Sequence, residues 1–250
     1  MNRRDFTKGL IASGLTATLA ASQLAEAMLR KANLLHSPKD FPKKVAGITT
    51  PDSRYVQLAI EEARDSSEPF LFNHAARTYY LGVLLGIAHK HQLDPEVLMI
   101  ACMLHDLGLT SRHEGELPFE IQGAQAAKAV LSRAGYQPDK CEIVWDGIAM
   151  HTQPLADFKR AEISLVGAGA GADVTGADIS LLTASDIQAV IHAFPRLDFK
   201  NAFVSCCAET IRKFPRAAGR SFMRDIGERM VPGFSPSNIC DRIKTSPFDE

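Results

Sequence analysis

Apolar residues fall along this chain in blocks of helical length and period. Over 55–64, Val56, Leu58, Ala59, Ile60 and Ala63 share a mostly apolar face, the spacing of one side of an amphipathic helix. Pro69 stands where a first helical turn tolerates proline, and the apolar pattern behind it runs to about residue 91. Asp94-Pro95 reads as an N-cap followed by proline at the first helical position; it opens a helix to about 107 that Gly108 is placed to end in a left-handed conformation. Further helices are expected over 118–134, 139–151, 184–193, 199–213 and 218–230. No alternating β-branched run exceeds a few residues, so strands are not expected. The pattern predicts an all-α, single-domain helical bundle over 55–231. An irregular lead-in at 28–54, marked by Pro38, Pro42, Gly47 and Pro51, precedes it, and a tail at 232–250 follows.

The first 27 residues read differently. Arg3-Arg4-Asp5-Phe6-Thr7-Lys8 leads into a mild apolar stretch over 9–24, and Ala25-Glu26-Ala27 then fits a small-x-small cleavage site. Charged region, apolar region and cleavage site stand in the order of an export signal, and the arrangement resembles a bacterial twin-arginine signal. The resemblance implies handling by the twin-arginine export machinery, a mature chain starting near Met28, and a periplasmic location. The apolar run is shorter and weaker than the roughly 20 residues of a stable membrane anchor.

A formal net charge of -1 on 250 residues gives no electrostatic case for nucleic acid or an anionic membrane as partner, which leaves a small molecule as the expected ligand. None of the five cysteines, Cys102, Cys141, Cys206, Cys207 and Cys240, makes a CxxC pair, so a zinc ribbon or dithiol redox site is not indicated. A Cys141–Cys240 disulfide in an oxidising compartment stays open, since it depends on a proximity that spacing does not give.

The chemistry sits in the most apolar segments. The run Val97-Leu98-Met99-Ile100-Ala101-Cys102-Met103-Leu104 ends in His105-Asp106. A helix apolar all round is buried, and a buried aspartate needs a cation or several donors. Neighbouring helical positions point about 100° apart, yet near a helix end both side chains can lean toward one ion. A divalent metal explains the pair; a His–Asp hydrogen bond in the core explains it equally well. His74 lies in the apolar segment Phe70-Leu71-Phe72-Asn73-His74, His151 ends the apolar run from Ile143, and Asp173 follows the small-residue stretch 167–172. Four apolar segments that each carry an imidazole or carboxylate are explained more economically by one shared site than by four separate ones. The stretch 167–172 also fits G-x-G-x-x-A, but no strand–helix setting for a dinucleotide surrounds it; close packing beside Asp173 accounts for its glycines.

The order His…His-Asp…Asp resembles the HD superfamily of metal-dependent hydrolases, and more narrowly its cyanamide hydratase-like branch. The segments that carry the resemblance are Asn73-His74-Ala75-Ala76-Arg77, Leu104-His105-Asp106-Leu107-Gly108, Phe119-Glu120-Ile121-Gln122-Gly123-Ala124, Ile148-Ala149-Met150-His151-Thr152 and Asp173-Val174-Thr175-Gly176. Ala75 stands where the pattern leads one to expect a small polar residue. The resemblance implies an HD-type helical bundle with His74, His105, Asp106 and Asp173 holding one divalent transition metal. The donor set suits Zn, Fe, Mn or Co better than Mg or Ca. Such an ion would lower the pKa of a coordinated water, which then attacks an electrophilic carbon or phosphorus.

Around that centre, His151, Glu120 and Asp106 are the candidate catalytic groups. Arg77, one turn after His74, and His113, in the loop 111–116, are the candidates for substrate binding; a surface ion pair is the alternative for Arg77, and a solvated position or a second-metal ligand the alternative for His113. For His151 a plain interaction with the helix dipole is the alternative, and for Glu120 an acid at a helix N-terminus. The activity these residues point to is addition of water to a small nitrile-like or other C–N compound. Two rivals stay open: an HD phosphohydrolase of nucleotides or phosphate esters, and a helical module that binds metal or ligand without catalysis.

Overall fold

The computed structural model describes residues 41–247, and from Pro42 onward the chain forms one unit. The export-signal reading of residues 1–27 lies outside the described residues. Two short strands, β1 (Lys44–Val45) and β2 (Ile48–Thr49), pair antiparallel with Lys44 opposite Thr49 and Val45 opposite Ile48. Ala46 and Gly47 both take positive φ, 48° and 77°, as a two-residue hairpin turn that follows the strand twist requires. The lead-in is thus less irregular than expected, because Gly47 supplies the turn.

The remaining elements are helical. Ser53 caps α1 (Arg54–Ser66) by accepting from the Val56 N–H, and Val56, Ala59, Ile60 and Ala63 are its buried face. Helix α2 (Pro69–Ala88) begins with its proline in the first turn and is buried on almost every side from Leu71 to Gly86. Helix α3 (Pro95–Leu104) is capped by the Asp94 carboxylate, which accepts from the N–H groups of Glu96 and Val97. It ends three residues earlier than expected: Asp106 leaves helical geometry, and a 3-10 turn, Leu107–Leu109, follows. Gly108 does not take the left-handed conformation expected of it. A Cβ there would stand 2.0 Å from the Phe119 carbonyl oxygen, so close packing is what requires the glycine.

Next come α4 (Phe119–Arg133), α5 (Pro138–Met150) and α6 (Ala161–Thr175). The glycine-rich stretch thus lies within a helix that the pattern of apolar positions does not announce. Its glycines permit close approach: a Cβ on Gly169 would meet the Thr78 carbonyl oxygen of α2 at 2.1 Å, and one on Gly167 would meet the His151 carbonyl oxygen at 2.6 Å. Helices α7 (Ala184–Ala193) and α8 (Phe199–Lys213) fall where expected. The single helix expected over 218–230 is instead a 3-10 turn, Ala217–Arg220, and α9 (Met223–Met230). They are separated by extended Ser221, whose Oγ accepts from the Met223 N–H. A short helix α10 (Ile239–Lys244), capped by Asn238, lies in the tail.

Leu71, Leu109, Phe119, Phe199, Phe203, Ile211 and Met223 pack into one apolar cluster that joins α2, α4, α8 and α9. Among the described residues no helix is long and apolar enough to cross a membrane. Cys141 is buried, Cys240 is exposed, and all five cysteines are free thiols, so the Cys141–Cys240 pairing is not formed.

Candidate metal centre

Helix α2 brings His74 into the interior opposite the end of α3. There the departure from helical geometry at Asp106 turns His105 and Asp106, neighbours in sequence, toward the same point. His74 Nε2 lies 3.3 Å from His105 Nε2 and 3.5 Å from Asp106 Oδ2, and His105 Nε2 lies 3.2 Å from that same oxygen. All three residues are buried. Donor atoms about 2.0–2.1 Å from a tetrahedral ion stand about 3.3–3.4 Å apart, and the three separations bracket that spacing.

What lies behind each donor supports the same conclusion. His74 Nδ1 is 2.6 Å from Asp173 Oδ2, and His105 Nδ1 is 2.7 Å from the Cys102 carbonyl oxygen. Each ring therefore keeps its proton on Nδ1 and presents the Nε2 lone pair inward, the arrangement that orients metal-binding histidines. Two lone pairs and a carboxylate oxygen then converge. Asp106 Oδ2 is buried with no hydrogen-bond partner, a costly state for an anion that lacks a cation. The residues fit a divalent metal: His74, His105 and Asp106 form a group that could hold one.

The donors also set one another's ionisation. Burial alone would raise the Asp106 carboxyl, but His105, His74 and His151 outweigh it and hold the group well below the usual carboxylate range. Burial pushes His74 down against the pull of Asp173 and Asp106. In His105 burial also acts downward, yet Asp106 overcomes it and raises the imidazole.

Asp173 reaches the cluster but does not join the three converging atoms. Its Oδ2 takes the His74 Nδ1–H, and Arg77 binds it with two nitrogens, Nε to Oδ1 and Nη2 to Oδ2, both at 2.8 Å. Arg196 Nη1 adds a contact of 2.6 Å to Oδ1. In this structure Asp173 thus stands behind His74 rather than beside its Nε2, where a fourth direct ligand was expected. The reason lies in two arginines that hold its carboxylate. Burial would raise the Asp173 carboxyl, but His74 and Arg77 hold it below the ordinary range.

Arg77 is committed to the same contact. Fully buried and engaged by Asp173 and by the Phe194 and Pro195 carbonyl oxygens, it has no donor facing a substrate. His113 is also elsewhere: its Nε2 is 2.8 Å from Glu62 Oε1 on α1, and it does not line the cavity beside the metal donors.

His151 and Glu120 do come together with the centre. His151 Nδ1 donates to the Ile148 carbonyl oxygen at 2.6 Å, and its Nε2 faces Asp106 Oδ1 at 3.9 Å. Burial, reinforced by the His105 imidazole, pushes it down to about 4, so it is neutral. Glu120 is buried, and its Oε1 accepts from Thr152 Oγ1 at 2.7 Å. Burial raises its carboxyl despite that hydrogen bond. Thr152 itself lines a cavity of about 280 Å³ that opens onto His74, His105, Asp106 and His151. Sequence reasoning nominated neither Thr152 nor the aromatic wall of this cavity, Phe119, Phe203 and Phe222, because these residues read as ordinary helix-core and helix-end positions.

Fold and site together define an all-α protein with a buried two-histidine, one-carboxylate centre beside a cavity. Residues 71–169 match the HD domain family, a span that contains His74, His105, Asp106, Glu120 and His151 and stops short of Asp173. Two proteins of Saccharomyces cerevisiae, cyanamide hydratase DDI2 and cyanamide hydratase DDI3, are each 24% identical to this chain over 196 residues, covering 76% of it and 87% of their own length. These likenesses support the HD superfamily and, at that level, a metal-dependent hydrolase or hydratase.

Proposed function

We propose that this chain adds water to a small uncharged substrate at a nitrile-like or other C–N centre, with His74, His105 and Asp106 holding the metal. The observation that carries the reading is the buried, unpartnered Asp106 Oδ2 set between two inward-facing Nε2 atoms. When bound, a divalent transition ion supplies Lewis acidity and makes a nucleophile from water near neutral pH. Asp173 positions His74 through Nδ1 and is itself fixed by Arg77. His151, neutral with its proton on Nδ1, offers Nε2 as an acceptor for an N–H or O–H at the reacting centre. Glu120 holds the Thr152 hydroxyl proton and Gln153 Nε2 donates to the Thr152 oxygen at 3.3 Å, which leaves one lone pair of that oxygen to accept from a substrate.

The substrate chemistry takes its support from the names of the two yeast relatives and from the cavity. Neither lysine nor arginine is among the residues that line it, whereas recognition of phosphate calls for such groups or for a helix N-terminus. For a phosphate ester the cavity would thus offer the metal itself and no further cationic side chain. Elemental analysis of the purified protein, combined with turnover assays on cyanamide and on a panel of phosphate esters, tests the proposal. One metal per chain with amide or urea formation is expected; phosphate release without C–N hydration would overturn it. We also propose, on the sequence alone, that residues 1–27 direct export through the twin-arginine route; replacing Arg3 and Arg4 with lysine should retain the protein in the cytoplasmic fraction.

A further inference from the structure

The cavity beside the three donors is large and apolar for a cyanamide site. Cyanamide has three heavy atoms, while an apolar cavity of about 150 Å³ already holds benzene, and this one measures about 280 Å³. Phe119, Phe203, Phe222, Ala170 and Val174 form its apolar walls. Phe203 and Phe222 lie nearly parallel, 19° apart with centroids at 6.3 Å, and Phe119 meets Phe222 edge-on at 5.9 Å. The walls therefore offer both ring faces and ring edges, the surfaces against which an aryl group packs. Phe222 is 37% exposed. Phe119 meets His151 edge-on at 5.6 Å and the Phe203 ring lies 5.8 Å from that of His74, so the aromatic wall adjoins the polar groups His74, His105, Asp106, His151 and Thr152.

From this volume and aromatic lining beside the donors we infer that the substrate class is an uncharged nitrile or N-substituted cyanamide that carries an aryl or similarly bulky apolar group. The inference rests on the function proposed above and specifies the substrate of that same site. The C≡N head lies at the metal donors and Thr152, and the apolar body lies against the phenylalanines. The reaction is R–C≡N + H2O → R–C(=O)–NH2. The water oxygen adds to the nitrile carbon, both C–N π bonds open, both water protons finish on nitrogen, and no group leaves. No oxidant or reductant enters.

The test compares substrates that share an electrophile: cyanamide with phenylcyanamide, and acetonitrile with phenylacetonitrile. With the metal-loaded enzyme, kcat/KM is expected to be at least about 10-fold higher for the phenyl member of each pair. Ala170→Leu, which narrows the cavity, should erase that preference, and Phe222→Ala, at a half-exposed position that tolerates truncation, should weaken it. As a readout independent of turnover, calorimetry on chelator-treated protein should detect phenylacetamide and not acetamide, with binding lost in Ala170→Leu. If cyanamide is hydrated as well as phenylcyanamide, or better, the inference fails while the proposed function stands. If neither cyanamide nor any nitrile is hydrated, both fail together. Tighter binding of a carboxylate- or phosphate-bearing analogue would also overturn it.

Discussion

Replacing Asp173 with asparagine separates its two possible roles, because a buttress and a metal ligand fail in different ways. The carboxylate side chain is 2% exposed and Arg77 is 0% exposed. Asparagine keeps the volume but leaves the Arg77 guanidinium buried without a counter-charge, and it sets an amide N–H against Arg77 or the His74 Nδ1–H. Removing one partner of a buried ion pair costs about 3–5 kcal/mol. Arg196 moderates nothing, since its side chain is 28% exposed and can turn to solvent. In a chain of this size about 1 kcal/mol shifts Tm by roughly 2–4 °C, so the metal-free Asp173→Asn protein should melt about 6–20 °C below wild type. Metal affinity should fall about 10–100-fold, the usual consequence of losing the hydrogen bond behind a ligating histidine. Thermal unfolding followed by far-UV circular dichroism on chelator-treated protein, paired with a metal titration, measures both. A metal-free Tm within about 2 °C of wild type together with abolished metal binding would refute the reasoning and make Asp173 a direct ligand.

Other perturbations probe separate parts of the account. His105→Ala removes one of three converging donors, so bound metal measured by elemental analysis should drop by more than the about 10–100-fold that an outer hydrogen bond controls, with most of the helical signal retained. Gly169→Ala drives a Cβ to 2.1 Å from the Thr78 carbonyl oxygen and should cost about 3 kcal/mol. Gly171→Ala, whose Cβ would meet only the Ala177 methyl at 3.6 Å, should instead be neutral or stabilising by about 0.5–1 kcal/mol; equal melting of the two variants would contradict the packing of α2 on α6. In Glu62 burial acts upward, but the hydrogen bonds from His113 and Ser66 outweigh it and lower the carboxyl. Its stabilising contribution is therefore complete above the unfolded value of about 4.3 and fades as pH falls through the lower folded value. Urea denaturation should show Glu62→Gln less stable than wild type at neutral pH, with the gap closing in acid and metal content unchanged.

The centre of the site was legible because its residues break a pattern. His74 and His105-Asp106 interrupt long apolar runs, where a polar group needs a partner, and the expectation that a helix end lets both members of the pair face one point holds at Asp106. What surrounds them was less legible, for identifiable reasons. Helix α6 carries glycine and alanine at alternate positions over 167–172, which gives no apolar stripe and so conceals both the helix and the direction of Asp173. Arg77 shares a helix face with His74, but sequence spacing cannot reveal that a carboxylate 96 positions later claims the guanidinium. His113 sits in a polar loop, where nothing local shows its pairing with Glu62. The aromatic wall depends on the break at Ser221, which swings Phe222 to the cavity; a pattern of apolar positions reads straight through such a break.

The central claim is that two imidazole nitrogens and one carboxylate oxygen grip a single ion while Asp173 stays on the far side of His74. Anomalous diffraction from crystals of the metal-loaded protein tests it most directly. One peak per chain is expected, enclosed by His74 Nε2, His105 Nε2 and the Asp106 carboxylate, with Asp173 still bonded to His74 Nδ1 and Arg77. A peak elsewhere in the chain, or none at full metal loading, would contradict it.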